Sequence, residues 1–321
     1  MRNTRPILHY FGSPGAISRE VGQIAAQCGF EIIYRTSERF SDNIKSLEDG
    51  KDWIVQNSLD EAMGFGPSPG PNDFALSVSA PWIFNREFIR IWNGRFFNVH
   101  FSRLPKFRGG GGLTWPILLR ERFFGVSIHE LTEGIDDGPI YSGSTVPAFL
   151  PGYVKNIAHR LELNAIKQLR KGLPKLLKAE YGTVKQRESG SEYWPRINSS
   201  SQAFVDWSWK AREIVQFSLA FEVAGKHAMS EFRDSTVELV DVRFVRRRKI
   251  HPFAWGLIFR KSPEGDRVYV AANGGEISMG IVFAGNPEFE VSLGDRLFTS
   301  TARLEVARFS RPRLSPSGRW T

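Results

Sequence analysis

The sequence predicts an α/β fold, in which a doubly wound, mostly parallel sheet is followed by a small β-barrel of the OB type. The first observation is the order of elements at the start of the chain. An apolar strand over Ile7–Phe11 precedes a Gly-Pro turn, a helix over Ala16–Cys28 and a second strand over Phe30–Tyr34. This order indicates parallel strands joined by crossover helices. The second observation is a change after position 197, where short alternating segments with glycine turns become frequent.

The strand and helix pattern continues along the first half of the chain. Apolar runs that lead into polar loops predict buried strands over Asp73–Val78, Phe96–His100, Gly125–Ile128 and Pro139–Val146. Apolar residues at helical spacing predict helices over Pro81–Ile91, Leu113–Arg122 and Val154–Leu177. The segment Gly64–Pro71 is too rich in glycine and proline for a helix or an inner strand, so we expect a loop there.

The second half of the chain has a different pattern. One helix is predicted over Ala211–Phe221. Short strands are predicted over Val237–Val245, Trp255–Arg260, Arg267–Ala271, Glu276–Phe283 and Ala302–Ala307. We therefore expect a first domain over residues 1–181, a linker over 182–196, a barrel domain over 197–308 and a basic tail over 309–321.

The composition narrows the class of protein. The 321 residues exceed one average domain, and 43 Lys and Arg against 34 Asp and Glu give a net charge of +9. This balance suits an acidic partner such as a folate tail, a nucleotide phosphate or a nucleic acid, although a merely soluble basic protein fits it as well. Cys28 is the single cysteine, which excludes an intramolecular disulfide and a cysteine-rich metal site. Without a signal peptide or a long apolar run, we expect no membrane segment and a cytoplasmic location.

Two short segments carry the side chains of greatest chemical interest. Asn98–Pro105 supplies a carboxamide and an imidazole from Asn98 and His100, and Gly134–Gly138 supplies the carboxylate of Asp136. Both segments follow predicted buried strands, so we expect them to meet at one edge of the sheet. An amide, a base and an acid in one place are what transfer of an activated one-carbon or acyl group requires.

These two segments resemble the 10-formyltetrahydrofolate-dependent formyltransferases. That family carries Asn-x-His-x-Ser-x-Leu-Pro, then Arg-Gly, a Trp-bearing helix and a Gly-hydrophobic-Asp-x-Gly loop. The matching residues are Asn98, His100, Ser102, Leu104, Pro105, Arg108, Gly109, Gly134, Asp136 and Gly138. The resemblance covers residues 6–180 and implies a Rossmann-like fold of the formyltransferase type. A weaker resemblance to the C-terminal domain of methionyl-tRNA formyltransferase rests on Val205–Trp207 and Val268–Ile277.

The resemblance implies three catalytic roles. His100 takes the proton of the attacking amine or stabilises the oxyanion, Asn98 donates to the formyl oxygen, and Asp136 orients and charge-balances His100. As a bare residue, His100 could equally be a structural hydrogen-bonding group. Asp137 is expected to be a turn residue.

The resemblance also implies binding residues for 10-formyltetrahydrofolate, between the Asp73–Phe84 segment and the Leu131–Gly138 loop. The expected folate-binding residues are Trp82, Ile83, Phe84, Leu131, Glu133, Gly134 and Ile135. The expected acceptor-binding residues are Ser102, Arg108, Gly109, Trp115 and His129. Trp82 and Phe84 could instead be ordinary core residues. Ala80–Pro81 stands where many relatives have Tyr-Gly, which changes the lining of the folate pocket.

The acceptor is the less determined part of the prediction. Gly125–His129 resembles relatives that act on nucleotide-linked amino sugars, although a partly exposed strand histidine is an equally good interpretation of His129. We therefore favour a nucleotide-linked amino sugar or a similar small amine as acceptor. The alternative is a methionyl-tRNA formyltransferase, for which the basic run Arg246–Lys249 could neutralise phosphates. A 10-formyltetrahydrofolate hydrolase and a non-catalytic binding protein are further alternatives. A homodimer is compatible with the prediction, and no metal is expected.

Overall fold

The three-dimensional structure is a computed structural model of the 321-residue chain. It describes residues 5–40, 53–56, 69–148, 156–283 and 290–312, together with positions 44, 58, 60 and 61. The predicted loop over Gly64–Pro71 lies mostly outside the described residues, as does the predicted basic tail from residue 313 onward.

Seven strands of the described residues form the first sheet. These are β1 (Ile7–Gly12), β2 (Glu31–Thr36), β3 (Trp53–Val55), β4 (Phe74–Val78), β5 (Phe96–His100), β6 (Phe123–Glu130) and β7 (Ile140–Pro147). They lie in the order β3-β2-β1-β4-β5-β6-β7. The pairs from β3 to β5 are parallel, whereas β6 runs antiparallel to both β5 and β7. The prediction of an α/β fold with a mostly parallel sheet is therefore confirmed.

The register of β5 against β6 determines which side chains of these two strands become neighbours. Asn98 pairs with His129, and His100 pairs with Ser127. Because directly opposed residues point to the same face of a sheet, the side chains of Asn98 and His129 lie side by side.

Helices cover both faces of this sheet. They are α1 (Ala16–Gln27), α2 (Arg86–Arg90), α3 (Thr114–Leu118) and α4 (Ile157–Leu177). One face packs aliphatic residues against α1 and α4, with Leu8, Val21, Ile24, Leu161 and Leu169 in the core. The opposite face carries an aromatic core of Phe11, Phe84, Phe88, Trp92 and Phe96 around α2. Burial of large side chains of this kind contributes about 1.5–3 kcal/mol each to folding.

The second part of the chain contains a five-stranded antiparallel sheet. Its strands are β8 (Ala228–Phe232), β9 (Ser235–Arg247), β10 (Ile258–Lys261), β11 (Val268–Ala272) and β12 (Gly275–Phe283), in the order β10-β11-β12-β9-β8. The segment 295–298 is hydrogen-bonded to both edge strands of this sheet, with Phe298 N donating to Glu231 O of β8 (3.0 Å) and Ile258 N of β10 donating to Asp295 O (2.8 Å). The antiparallel sheet agrees with the sequence, whereas its OB-type topology stays a prediction.

Three further helices accompany the second sheet. They are α5 (Ser199–Gln202), α6 (Ala211–Val223) and α7 (Thr301–Phe309). The prediction of a strand over Ala302–Ala307 is wrong, because this segment lies within α7. Ser300 caps that helix by accepting a hydrogen bond from Arg303 N at 3.4 Å.

The segment 182–196, expected as a linker, packs along the first sheet. It contributes isolated bridges from Val184 to Ile140 and from Tyr193 to Arg108. Among the described residues, no helix is long and apolar enough to span a membrane.

Candidate active site

A cavity of about 340 Å³ opens where β4 and β5 end. Most of the residues that the sequence predicts for the catalytic and binding site line this cavity. Those lining it are Asn98, His100, Ser102, Gly109, Trp115, Asp136, Trp82, Ile83, Phe84, Leu131, Glu133, Gly134 and Ile135. The expectation that the two loops meet at one edge of the sheet therefore agrees with the structure.

His100 has one ring nitrogen engaged and one directed at a carboxylate. Its Nε2 lies 2.9 Å from the carbonyl oxygen of Phe107. Because a carbonyl only accepts, Nε2 carries the proton, and the neutral ring has its lone pair on Nδ1. Nδ1 lies 3.7 Å from Asp136 Oδ2, which is near enough for charge pairing and too long for a direct hydrogen bond. The imidazole can therefore accept a proton at Nδ1, and the resulting cation faces Asp136.

Asp136 is held as an anion by its surroundings. Burial favours the neutral acid, but the adjoining His100 and His129 rings and the Gly109 N–H outweigh it and hold the pKa of the Asp136 carboxyl below its usual range. Gly109 N donates to Asp136 Oδ2 at 2.8 Å, while His129 Nε2 lies 3.5 Å from Oδ1. Asp136 itself has φ of 50°, a left-handed conformation that Asp adopts more readily than most residues.

The loop around Asp136 requires small neighbours. Gly109 has φ of 98°, and a side chain there would meet the carbonyl oxygen of Trp194 at 2.6 Å. A Cβ at Gly138 would lie 1.9 Å from the carbonyl oxygen of Glu130. Glycine at both positions lets the backbone approach closely enough to place the Gly109 N–H against the carboxylate.

Asn98 is positioned by His129. The Nδ2 atom of Asn98 lies 3.2 Å from His129 Nε2, and His129 Nδ1 lies 2.9 Å from the carbonyl oxygen of Glu130. Since that carbonyl only accepts, Nδ1 carries the proton, and Nε2 of the neutral ring accepts from the amide of Asn98. The other amide hydrogen of Asn98 remains for a ligand in the cavity.

Two predicted acceptor-binding residues do not line the cavity. His129 is completely buried next to Asn98 and Asp136, and the register of β6 places it on the same face of the sheet as Asn98. Arg108 points away from the cavity, where its guanidinium contacts Gln186 at 3.1 Å and Glu188 at 3.1 Å. Neither residue is placed to contact an acceptor.

Gln186 is a site residue that the sequence did not reveal. Its side-chain nitrogen donates to the carbonyl oxygens of Asp136 (2.8 Å) and Gly138 (2.7 Å), and its oxygen accepts from Arg108. The side chain is buried, and it ties the Asp136 loop to the segment 182–196. A glutamine between scattered charges gave no local signal of this role.

One wall of the cavity is apolar and lies on the β4 side. Trp82 and Phe84 are buried and belong to the aromatic core, whereas Ile83 and Ile135 are 38% and 49% exposed. Glu133 forms ion pairs with Arg86 and with Arg90, the latter at 3.2 Å. The rings of Trp82 and Phe84 are therefore core residues that also line the cavity, and their contact with folate stays a prediction.

The opposite wall is formed by two tryptophans. The rings of Trp115 and Trp194 lie 4.9 Å apart, and Trp115 Nε1 donates to the carbonyl oxygen of Pro195 at 2.7 Å. Ser102 is buried, and its hydroxyl donates to the same Phe107 carbonyl that His100 contacts. This hydroxyl therefore shapes the loop, and binding of the acceptor by Ser102 stays a prediction. The Leu104–Pro105 peptide bond is cis.

Comparison with known proteins identifies the family that the region around this cavity matches. Residues 72–171 match the family model described as formyl transferase. This part of the chain belongs to the formyl transferase family. The matched residues include both loops that bring Asn98, His100 and Asp136 together, so the resemblance noted in the sequence is confirmed for this formyl transferase domain.

Relatives of known sequence are similar over part of their length. The chain is 32% identical over 124 residues to a methionyl-tRNA formyltransferase from Coxiella burnetii, which is 39% of this chain and 39% of that protein. The chain therefore aligns with about two fifths of the length of the curated relatives it matches.

Solved structures resemble the chain over a longer span. An N-formyltransferase from Helicobacter canadensis, solved with folinic acid and dTDP-3-aminofucose, has a TM-score of 0.58 at 15% identity and covers 86% of this chain and 99% of its own. HypX from Aquifex aeolicus, in complex with tetrahydrofolic acid, has a TM-score of 0.59 at 15% identity and covers 86% of this chain and 43% of its own. These similarities establish the fold beyond the formyl transferase domain.

Proposed function

We propose that this protein transfers a formyl group from 10-formyltetrahydrofolate to a primary amine, with a nucleotide-linked amino sugar as the favoured acceptor. The observation that carries the proposal is the convergence of the His100 imidazole, the Asn98 amide and the Asp136 carboxylate in one cavity. The formyl transferase domain, and the tetrahydrofolic acid bound in the HypX structure, support a folate as formyl donor.

His100 acts as the general base in this proposal. The attacking amine must lose a proton as its nitrogen bonds to the formyl carbon, and Nδ1 of the neutral His100 ring holds a lone pair for it. Nε2 remains protonated throughout, because the Phe107 carbonyl continues to accept from it. The imidazolium that results is stabilised by the Asp136 carboxylate 3.7 Å away.

Asn98 stabilises the tetrahedral intermediate. Addition of the amine places a negative charge on the formyl oxygen, and a preorganised amide donor at this position contributes about 3 kcal/mol to the transition state. His129 fixes the amide by accepting one of its hydrogens, which directs the second hydrogen into the cavity. His129 is therefore a positioning residue.

Collapse of the intermediate completes the transfer. The bond between the formyl carbon and the folate nitrogen breaks, and the proton held at His100 Nδ1 passes to that nitrogen. Products are the formamide and tetrahydrofolate, and the net proton count is unchanged. Asp136 remains ionised, since its low pKa keeps it from competing for this proton.

Each of the two substrates binds along a different wall of the cavity in this proposal. The folate ring lies along the apolar wall of Trp82, Ile83, Phe84, Leu131 and Ile135, and Glu133 and Gly134 complete that side. The acceptor enters between Gly109 and Trp115, which line the opposite wall.

The choice of acceptor rests on two comparisons and two ion pairs. The dTDP-3-aminofucose in the Helicobacter canadensis structure supports an amino sugar, whereas the Coxiella burnetii relative supports methionyl-tRNA. Within the basic run, Arg246 and Arg248 each contact the buried carboxylate of Glu276 at 2.9 Å. Two of its four cations therefore stabilise the second sheet, which favours the sugar over tRNA.

The domain arrangement follows the same proposal. Residues 1–181 hold the reaction site, residues 197–308 form an OB-like barrel, and 182–196 join them while bracing the site through Gln186. Pairing of two copies of the chain through this barrel would double the molecular mass measured in solution.

The experiment that tests the proposal is release of tetrahydrofolate from 10-formyltetrahydrofolate with three acceptors in parallel. These are nucleotide-linked amino sugars, charged initiator methionyl-tRNA and buffer alone. Release that requires the sugars supports the proposal, and release that requires the tRNA favours the alternative. Equal release in buffer would identify a hydrolase, and folate binding without release would identify a binding protein.

A further inference from the structure

A second cavity of about 440 Å³ lies between α3, α6 and α7. Its walls are dominated by aromatic rings from Trp115, Phe204, Trp209, Phe217 and Phe221. Phe204 and Phe221 are buried, and the rings of Trp209 and Phe217 are 5.0 Å apart. The volume is about three times that of a 150 Å³ apolar cavity that accepts a benzene molecule.

This second cavity shares a wall with the reaction cavity. Trp115 lines both, and the consecutive residues Arg196 and Ile197 line the first and the second cavity respectively. A side chain at Gly111 would lie 2.3 Å from the Trp115 ring, so glycine there lets the indole lie against the backbone between the two cavities. The second cavity therefore adjoins the side of the reaction cavity that we assign to the acceptor.

The charged residues that line the second cavity have partners. Glu213 pairs with Arg120 at 2.6 Å, and Arg308 pairs with Asp206 at 2.8 Å.

The amide groups in its lining are also engaged. Gln202 donates to the carbonyl oxygens of Ala307 and Ser310, and Gln216 donates to the Ile117 carbonyl. A phosphate or a carboxylate would have to displace one of the ion pairs, whereas an uncharged apolar group would displace only water from the rings.

We propose that the second cavity binds an uncharged aromatic or branched apolar group, carried by the acceptor whose amine reacts beside His100. This inference rests on the proposed formyl transfer, and it adds that acceptor selection depends on an apolar group as well as on the amine. An acceptor with such a group gains binding energy that an equally reactive small amine lacks.

Direct binding tests the cavity without any turnover. The probe is 1-aminoanthracene, a neutral fluorescent aromatic amine, titrated into the full chain in the absence of folate. Ala307→Trp and Leu304→Trp fill the cavity from α7, and Ala302→Trp places the same ring on an exposed position of that helix as the matched control. Thermal unfolding of each variant shows whether it has folded.

We expect saturable binding of one probe molecule by the wild type and by Ala302→Trp, and a loss of affinity of about tenfold or more in a folded filling variant. Equal affinity in wild type and in the folded filling variants, or the absence of saturable binding, would overturn the proposal.

A comparison of turnover with two amines then tests whether the second cavity binds part of the acceptor. The ratio kcat/KM for 2-phenylethylamine should exceed that for ethylamine by about tenfold, and Ala307→Trp should abolish the difference. Equal ratios, or no transfer to 2-phenylethylamine, would overturn the link to the acceptor. If tetrahydrofolate is released with no acceptor at all while the probe still binds, the proposed formyl transfer is contradicted and not the cavity.

Discussion

The side-chain nitrogen of Asn98 lies 3.2 Å from Nε2 of His129, a residue that is completely buried. The same ring nitrogen lies 3.5 Å from the Asp136 carboxylate. One histidine thus contacts both an amide that faces the cavity and the anion that balances His100. Protonation of His129 would turn its Nε2 from an acceptor into a donor, which would favour Asp136 as its partner and release the Asn98 amide.

The first prediction concerns this contact. His129→Leu removes the acceptor, so kcat/KM for formyl transfer should fall by about a hundredfold, the scale of losing one oxyanion donor. His129→Gln keeps an acceptor oxygen and should recover part of the rate. The measurement is steady-state release of tetrahydrofolate. In an Asn98→Ala background, His129→Leu should have little further effect, and fully additive losses would contradict the positioning role.

The second prediction concerns His100. His100→Gln can still donate to the Phe107 carbonyl but cannot accept a proton, so kcat should fall by about a hundredfold to ten-thousandfold. Folate affinity, measured by fluorescence titration, should change little. A wild-type kcat in this variant would remove His100 from the mechanism.

The third prediction concerns Gln186. Gln186→Ala loses both hydrogen bonds to the Asp136 loop, and we expect kcat to fall by about tenfold or more as the carboxylate loses its position. The matched control is Glu188→Gln, which changes an exposed partner of Arg108 and leaves the loop contacts intact. Similar kinetics for both variants would show that the loop does not depend on Gln186.

The fourth prediction separates the two acceptor classes. Arg247 and Lys249 are exposed, whereas Arg246 and Arg248 pair with Glu276. Charge reversal at Arg247 and Lys249 therefore tests nucleic-acid binding with less risk to the fold. Formyl transfer to an amino sugar should be unchanged in this double variant. A large loss of tRNA affinity, together with a steep salt dependence in the wild type, would favour the tRNA alternative.

The fifth prediction concerns stability at acid pH. Burial, followed by the charge of Arg35, lowers the pKa of His9 from 6.5 to about 4, although Asp73 opposes this. The unfolded chain therefore binds the proton first as the pH falls. The contribution of His9 to the free energy of unfolding is fully present above about pH 6.5. It is lost between about pH 6.5 and about pH 4, and its loss lowers the free energy of unfolding by up to about 3 kcal/mol.

Urea unfolding at several pH values measures this effect. His9→Gln should flatten the pH dependence of the free energy of unfolding. The exposed His159→Gln serves as the control, because its side chain is 69% exposed. An unchanged slope in His9→Gln would show that His9 does not titrate as its surroundings imply.

Local patterns revealed the strands and the loops that end them, and these placed Asn98, His100 and Asp136 at one edge of the sheet. The contacts of Gln186 could not be read in this way, because it lies 50 residues from Asp136 in the sequence and reaches it only through packing. The contact between His129 and Asn98 depends on the antiparallel register of β6, which periodicity does not specify. The helix over Thr301–Phe309 was missed because its residues alternate like a strand, although Ser300 offered a capping signal.

The most direct test of the account is a single-turnover comparison of wild type with Asp136→Asn, using 10-formyltetrahydrofolate and an amino-sugar nucleotide. The asparagine keeps the shape and still accepts from the Gly109 N–H, but it removes the charge that stabilises protonated His100. We expect formyl transfer to slow by about a hundredfold or more, with folate binding retained. Transfer at the wild-type rate would contradict the central claim that this His–Asp pair moves the amine proton.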